Sequence, residues 1–293
     1  MIELSAARRR AVRDGLLIAG LIFNATLVVF WLPRLDLWID ARAWWTINLA
    51  DLYGPGEQSL ALVGAFRYSP AAAWLFLPAT WLSWEALILA YLLLNVTALA
   101  IMAGRWTPIL LVAFPPILLE LLNGNIATFL ALAIWAGMRW PAAWAFVLLT
   151  KVTPGVGALW FAARREWRNL VIALGATAAI VVAGLAIAPA IWLEWFRSLT
   201  IAAAVSPPAG IPPIVLRLPI AAAIVVYAAR TDRAWLVPVA AFLAQPILWL
   251  HGTAILTASI PLWWERERWR RPNAHLKSRI DAAENHRPAG VAA

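Results

Sequence analysis

The sequence predicts an all-α polytopic membrane protein, and its composition and its length are the two observations that predict this fold class. Of the 293 residues, 63% are hydrophobic and 13% are charged, with a mean hydropathy of +0.76. A soluble domain carries roughly 25% charged residues, so the composition excludes an ordinary soluble enzyme, a disordered protein and a fibrous protein. At roughly 20 apolar residues per crossing, the length allows a bundle of about ten transmembrane helices.

The arginines give the predicted bundle its orientation. The net charge is +9, and much of the basic charge falls in short stretches beside apolar runs. These stretches contain Arg8, Arg9, Arg10 and Arg13, then Arg164, Arg165 and Arg168, then Arg230 and Arg233, and finally Arg266, Arg268, Arg270 and Arg271. Short basic loops that flank apolar helices follow the positive-inside pattern. We therefore predict a multi-pass protein of the cell membrane with both termini in the cytoplasm, and membrane lipids rather than nucleic acid as its partners.

Residues 1–264 form one predicted transmembrane domain. Its first helix is Gly15–Leu32, and a first outer loop follows over residues 33–68. The tryptophans of this loop predict a short helix at the membrane interface; they are Trp38, Trp44 and Trp45. The basic tail, residues 265–293, shows no apolar periodicity, and we predict that it is disordered in the cytoplasm.

The remaining apolar runs supply the other predicted helices. In order they are Ala71–Trp84, Ala86–Ala103, Pro108–Leu119, Ile126–Met138, Trp140–Ala163, Leu170–Ala188, Ile214–Ala229, Trp235–Leu250 and Thr253–Trp264. Two consecutive runs, joined by Asn123-Gly124-Asn125, have only about 12 and 13 residues, against roughly 20 needed to span. Broken helices are tolerated where the backbone lines a protein-filled or wet cavity. We predict such a break here, and the sequence does not fix the depth of Asn123 and Asn125.

Lys151 is the most unusual charge in the chain, because it lies in the middle of the apolar run Trp140–Ala163. Pro154 breaks the helical hydrogen bonding just after it. A cation beside a broken backbone suits an anion such as a lipid phosphate. The alternative is a lysine whose ammonium reaches the membrane surface, although its central position makes that reach long.

The outer loop supplies the candidate general bases. Asp36 and Asp40 are spaced four apart, so they share one face if the segment is helical. A partly desolvated carboxylate at the lipid boundary can remove a proton from a substrate; solvation, or an ion pair with Arg34 or Arg42, is the alternative.

Three more residues are predicted at the same outer face. Arg67 could bind an anion or mark the interface, and Tyr68 fits the aromatic belt of a membrane protein. His251 ends a predicted helix and is the only histidine before the tail.

Five short motifs, taken in order, resemble those of glycosyltransferase family 87, a family of membrane enzymes of the GT-C type. The motifs are Ile39-Asp40-Ala41-Arg42-Ala43-Trp44-Trp45, Phe66-Arg67-Tyr68-Ser69-Pro70, Asn123-Gly124-Asn125, Lys151-Val152-Thr153-Pro154 with Arg164-Arg165-Glu166-Trp167-Arg168, and Pro246-Ile247-Leu248-Trp249-Leu250-His251. Two positions depart from the family pattern: Trp44 replaces the usual tyrosine, and Gly252 stands where a second histidine is common.

The resemblance implies a GT-C-like bundle and transfer of a sugar, with mannose favoured, from a polyprenyl-phosphate donor to a lipid or glycan hydroxyl on the outer face. It implies inversion at the sugar carbon, with Asp40 as the general base and Asp36 as the runner-up. It also implies that Lys151, Arg67 and His251 bind the donor phosphate. Four residues are candidates for the substrate pocket, namely Trp44, Tyr68, Asn123 and Asn125.

Two other functions compete with sugar transfer. A transporter or flippase of polyprenyl-linked lipids would use the same membrane environment, and a non-catalytic relative of the GT-C enzymes would suit the short chain. No cofactor is expected, and the sequence contains no cysteine and no second histidine beside His251 to build a metal site. A divalent cation bridging phosphate and aspartate stays an open alternative.

Overall fold

The computed structural model describes residues 6–34, 36–53, 66–204 and 211–266, and every regular element in these ranges is helical. The α-helices are α1 (Ala6–Thr26), α2 (Ile39–Trp45), α3 (Pro70–Phe76), α4 (Trp84–Ala103), α5 (Thr107–Ala113), α6 (Pro115–Asn123), α7 (Ala127–Gly137), α8 (Trp144–Thr150), α9 (Leu159–Ala163), α10 (Trp167–Ile187), α11 (Pro189–Ala204), α12 (Ile214–Arg230), α13 (Val237–Leu243) and α14 (Ser259–Trp264). Short 3₁₀ segments connect many of them, and the predicted all-α class is confirmed.

Within the described ranges, three helical stretches are long and apolar enough to cross a membrane. They are Arg10–Arg34, Trp84–Ala113 and Trp167–Ile187, and α6 with α7 makes a fourth if this bent pair is one span. Other apolar helices are shorter, such as Pro141–Thr150 and Ala234–Leu243. A helix of about ten residues rises only about 15 Å, half the thickness of the hydrocarbon layer, so a count of about ten crossings is not confirmed.

The predicted break between α6 and α7 is present, with a bend of 114° between the two helices. Gly124 ends α6 in the left-handed conformation, at φ 73°, which glycine adopts without a steric penalty. Glu120 accepts hydrogen bonds from the backbone N–H groups of Ala127 and Thr128. These bonds satisfy donors at the start of α7 that have no partner within the helix, so Glu120 stabilises the break between α6 and α7.

The run Trp140–Ala163 does not form a single helix, and the break predicted at Pro154, just after Lys151, lies at the lysine itself. The chain turns at this residue, because α8 ends at Thr150 and a 3₁₀ segment, Thr153–Ala158, runs back beside it. Gly157 lies against the Trp144 ring at the start of α8, where a Cβ atom on the glycine would collide with the indole. Lys151 therefore occupies the tip of a helical hairpin rather than the middle of a span.

The short helix predicted in the first loop is present as α2, and the run Ala71–Trp84 packs against it. That run forms α3 and a five-residue 3₁₀ segment rather than one long helix. The Trp44 ring stacks on Phe76 with centroids 5.1 Å apart, and Trp45 Nε1 donates to the Leu82 carbonyl at 3.0 Å. The middle of the outer loop, at 54–65, and the predicted disordered tail from 267 lie outside the described residues.

Charged loops gather at the end of the bundle away from Lys151. Arg139, just before the hairpin, pairs with Glu265, and Arg164, just after it, pairs with Asp232. The paired loops thus lie at one end of the bundle, and Lys151 lies at the other end, at the tip of the hairpin.

Candidate active site

Helix α2 is fixed to the break between α6 and α7. Trp38, which precedes α2, adopts a left-handed conformation with φ 55°, an outlier for a bulky residue. Its backbone N–H donates to the Leu122 carbonyl at 2.7 Å, and its indole Nε1 donates to the Leu121 carbonyl at 3.0 Å. Gly124 approaches Ala41 so closely that a Cβ atom on the glycine would lie 2.7 Å from the Cβ of the alanine. The strained start of α2 is therefore held by direct bonds to the end of α6.

Asp40, in the first turn of α2, is bound through one of its two carboxylate oxygens. Its Oδ2 accepts a hydrogen bond from Asn123 Nδ2 at 2.6 Å and a second one from Asn125 Nδ2. Its Oδ1 accepts none from the residues that the structure describes, and the side chain is only partly buried. Two amide donors thus fix the direction of the carboxylate and leave one oxygen open to a substrate.

Asn125 connects this carboxylate to Lys151. Lys151 Nζ donates to Asn125 Oδ1 at 3.3 Å and to Gln245 Oε1 at 3.4 Å. Gln245 in turn donates from Nε2 to the Gly252 carbonyl at 3.2 Å. Within the described part of the chain, no ion pair includes Asp40 or Lys151. The two charges are therefore held near each other by neutral amides and do not cancel by direct contact.

Asp36 does not join this cluster. It precedes α2, so the expected helix face shared with Asp40 is absent. Its carboxylate instead pairs with Arg42 at 2.9 Å, and both side chains are more than half exposed. Asp36 therefore forms the ion pair that was the alternative to a general base, whereas Asp40 is held by hydrogen bonds from two neutral amides.

The second motif of the outer loop contributes one exposed and one buried side chain. Arg67 is exposed, while Tyr68 is buried and lies in electrostatic range of Asp40. Burial raises the pKa of the Tyr68 phenol well above its ordinary value, and the charges of Asp40 and Glu120 act in the same direction. The phenol is therefore neutral at physiological pH. Trp44 is 3% exposed and packs in the core, so it supports the site rather than lining an open pocket.

His251 lies close enough to Lys151 and Asp40 to interact with both electrostatically. Its ring stacks on Trp249, with centroids 6.3 Å apart. Burial and then the Lys151 charge lower the pKa of His251 to about 4, against an opposing effect of Asp40. The imidazole is therefore neutral at pH 7, and a neutral imidazole offers one hydrogen-bond donor and one acceptor.

Three polar residues that support the site were not predicted as site residues from the sequence. Gln245 binds Lys151, Glu120 caps α7, and Arg217 binds carbonyl groups around Gln245. Arg217 interrupts the apolar run Ile214–Ala229. A charged residue in such a run is a functional candidate by default, so the argument that selected Lys151 applies to Arg217 as well.

The described residues contain no group of three or more His, Asp or Glu side chains placed to hold a metal ion. The polar groups of the site are instead one carboxylate, one ammonium, three amides and one imidazole. Such a set can accept a proton at Asp40 and bind an anion at Lys151.

Comparison with known proteins identifies the family. Neither a curated protein nor a solved structure matches the chain. A sequence profile of glycosyltransferase family 87 matches residues 66–277, which covers the hinge at Asn123–Asn125, the hairpin tip and the His251 segment and begins after α2. That match extends over more than half of the chain, so the protein belongs to glycosyltransferase family 87 and is a membrane glycosyltransferase.

Proposed function

We propose that the protein transfers a sugar, mannose in the first instance, from a polyprenyl-phosphate carrier to a hydroxyl of a lipid or glycan acceptor, with inversion at the sugar carbon. The observation that carries this proposal is the geometry of Asp40, in which two amides hold Oδ2 and leave Oδ1 open. A general base must present one oxygen to the hydroxyl in a fixed direction, and this arrangement does so.

Asp40 acts as the general base of a single displacement. As the acceptor oxygen forms its bond to the anomeric carbon, the bond between that carbon and the phosphate oxygen breaks. The hydroxyl proton passes to Oδ1 of Asp40, and the polyprenyl phosphate leaves with the bonding electrons. The main contribution of the protein is alignment, since holding two reactants in the reactive geometry lowers the barrier by converting a bimolecular step into a unimolecular one.

Lys151 stabilises the charge of the departing phosphate. Its ammonium is held by amide oxygens of Asn125 and Gln245, with the carboxylates of Glu120 and Asp40 in electrostatic range but not in a direct ion pair. A cation fixed in this way needs little reorganisation when charge develops on the leaving group. Arg67 and the neutral imidazole of His251 supply further contacts to the donor phosphate or to the acceptor.

We place this site on the outer face of the cell membrane, with both termini in the cytoplasm. The argument is the distribution of charge between the two ends of the bundle. The end away from Lys151 carries the loops around Arg139, Arg164 and Arg230, and basic loops stay on the cytoplasmic side. Single cysteines introduced into this cysteine-free chain and labelled with an impermeant thiol reagent test the orientation; labelling at Glu166→Cys from outside intact cells would contradict it.

Transfer from a radiolabelled polyprenyl-phosphate mannose to a membrane acceptor, with the purified chain in lipid vesicles, tests the proposed function. We expect a labelled product whose anomeric configuration, read by NMR, is opposite to that of the donor. Movement of the donor across the vesicle without transfer would favour a flippase, and neither transfer nor movement would favour a non-catalytic relative.

A further inference from the structure

Arg217, on α12, is a buried cation in an unusual environment. It exposes 2% of its surface, and the residues on either side of it in the sequence are apolar. Its guanidinium donates to four backbone carbonyls and to no carboxylate among the described residues. The acceptors are Pro212 from Nε at 2.7 Å, Leu243 and Gln245 from Nη1 at 2.7 Å each, and Pro246 from Nη2 at 2.8 Å.

Three of these four carbonyls belong to the end of α13 and the residues just after it. The last carbonyls of a helix have no partner within the helix, and Pro246 has no N–H group with which the next turn could continue. A cation at this end of a helix also interacts favourably with the helix dipole. The five N–H donors of arginine, in a rigid planar fork, suit several carbonyls at once, so Arg217 fixes the path of the chain after α13.

Gln245 connects this fixed segment to Lys151. Its backbone carbonyl is bound by Arg217 at 2.7 Å, and its side-chain Oε1 accepts from Lys151 at 3.4 Å. Gln245 is 2% exposed and also donates to the Gly252 carbonyl, next to His251. A single residue, Gln245, therefore separates Arg217 from the Lys151 ammonium, which we propose binds the donor phosphate.

We propose that Arg217 is the positioning residue of the donor-phosphate site, acting through Gln245 to hold the Lys151 ammonium in place. This inference rests on the proposed function, because the cation that Arg217 positions is the one proposed to bind the donor phosphate. Arg217 touches no substrate; its effect on transfer passes through the backbone of residues 243–246 and the Gln245 amide.

One consequence can be measured without any assay of activity. The chain has only two lysines, Lys151 and Lys277, so in a Lys277→Arg background Lys151 is the only side-chain amine. We expect Arg217→Met to raise the rate at which acetic anhydride acetylates Lys151, read by mass spectrometry, by roughly 2–10-fold, the weight of one lost hydrogen bond. Arg230→Met, an exposed arginine at the opposite end of the same helix, is the matched control and should leave the rate unchanged.

The kinetic counterpart is a double-mutant cycle between Arg217 and Gln245. We expect Arg217→Met and Gln245→Ala each to raise KM for the donor and to weaken binding of farnesyl phosphate, with KM for the acceptor unchanged. Because both act on one contact, the double variant should be little worse than either single one, whereas independent effects would multiply. Arg217→Lys, which keeps the charge and three donors, should recover part of the loss.

The outcomes separate the two hypotheses. Unchanged acetylation of Lys151 in Arg217→Met, or multiplying effects in the cycle, overturns the positioning role. If Arg217→Met does not fold, Arg217→Gln, which adds no amine and keeps an amide donor, takes its place in both measurements, and failure of both variants to fold would show that Arg217 is purely structural. If the wild-type chain neither transfers sugar nor binds farnesyl phosphate while Arg217→Met still accelerates acetylation, the proposed function fails and the contact through Gln245 stands.

Discussion

The paired loops at one end of the bundle and the candidate site at the other hold their charged side chains in opposite ways. At the end of the paired loops, Arg164 bonds to Glu166 at 2.7 Å and to Asp232, so cation and anion neutralise each other directly. At the other end, Asp40 and Lys151 have only amide partners. Both arrangements satisfy hydrogen bonds, but among the described residues only the second leaves the charged groups without a direct ion pair.

Under the proposed function, this difference separates a structural role for charge from a catalytic one. A direct ion pair joins two segments, and its field is largely cancelled within a few ångströms. A charge held by neutral dipoles keeps its field, and fixed dipoles need not rearrange during the reaction. Substitutions at the two ends should therefore act on different observables, catalysis at one end and stability at the other.

The largest effect is expected at Asp40. Asp40→Asn keeps the size of the side chain but removes the proton acceptor, so sugar transfer should fall by roughly 10²–10⁴-fold with donor binding and folding retained. Asp36→Asn is the control, because Asp36 pairs with Arg42 at an exposed position, and it should cost little. Wild-type transfer by Asp40→Asn together with loss in Asp36→Asn would reverse the assignment, and full activity of both variants would refute a general base in this loop.

A smaller effect is expected at Lys151. Lys151→Met removes the charge and keeps the length, and we expect affinity for the donor or for farnesyl phosphate to fall roughly 10–150-fold, the weight of one hydrogen bond to a charged group. Expression should hold or rise, since a buried charge has been removed. Lys277→Met, in the tail, removes the only other lysine and should change nothing. Undiminished donor binding in Lys151→Met would show that the lysine does not bind phosphate.

The hinge that carries the two asparagines should be sensitive to a single methyl group. In Gly124→Ala the new Cβ would meet Ala41 at 2.7 Å in a backbone of φ 73°, so α2 must shift away from Asn123 and Asn125. We expect transfer to fall about tenfold, equivalent to about 1.4 kcal/mol, beyond any loss of folded protein measured by thermal unfolding.

Gly104→Ala provides the control for this substitution. Gly104 also has a positive φ, of 54°, but nothing lies within 4 Å of its Cβ position. Its replacement should lower stability through backbone strain alone and leave transfer per folded molecule unchanged. Equal losses of specific activity in the two variants would contradict a special role for the hinge.

The smallest catalytic effect is expected at the paired end. Asp232→Asn removes the carboxylate that binds Arg164 while keeping a residue that tolerates the positive φ of 55° at this position. The unfolding free energy should fall by roughly 1.5–3 kcal/mol, as for a hydrogen bond to a charged group, with kcat and KM of the remaining folded enzyme unchanged. A large loss of kcat here would mean that the two ends are not functionally separate.

The sequence by itself determined the membrane class, the helical architecture and the family. Composition and hydropathy dictate these because lipid leaves a spanning backbone few options besides the helix. Short segments of the sequence also predicted local structure correctly. The tryptophans of the outer loop predicted α2, and Asn123-Gly124-Asn125 predicted the break, since both signals depend on a few consecutive residues.

Only the tertiary structure decided which polar groups meet. By hydropathy, residues 140–163 are one apolar run. Hydropathy does not show that the chain turns back at Lys151, because a hairpin and a straight helix can both be built from apolar side chains. Spacing and hydropathy do not distinguish Asp36 from Asp40, yet only Asp40 reaches the asparagines, since α2 begins at Ile39. Contacts such as Asn125 with Lys151 or Arg217 with Gln245 join residues 26 and 28 positions apart, and long-range contacts of this kind follow from how the helices pack together and not from any local pattern.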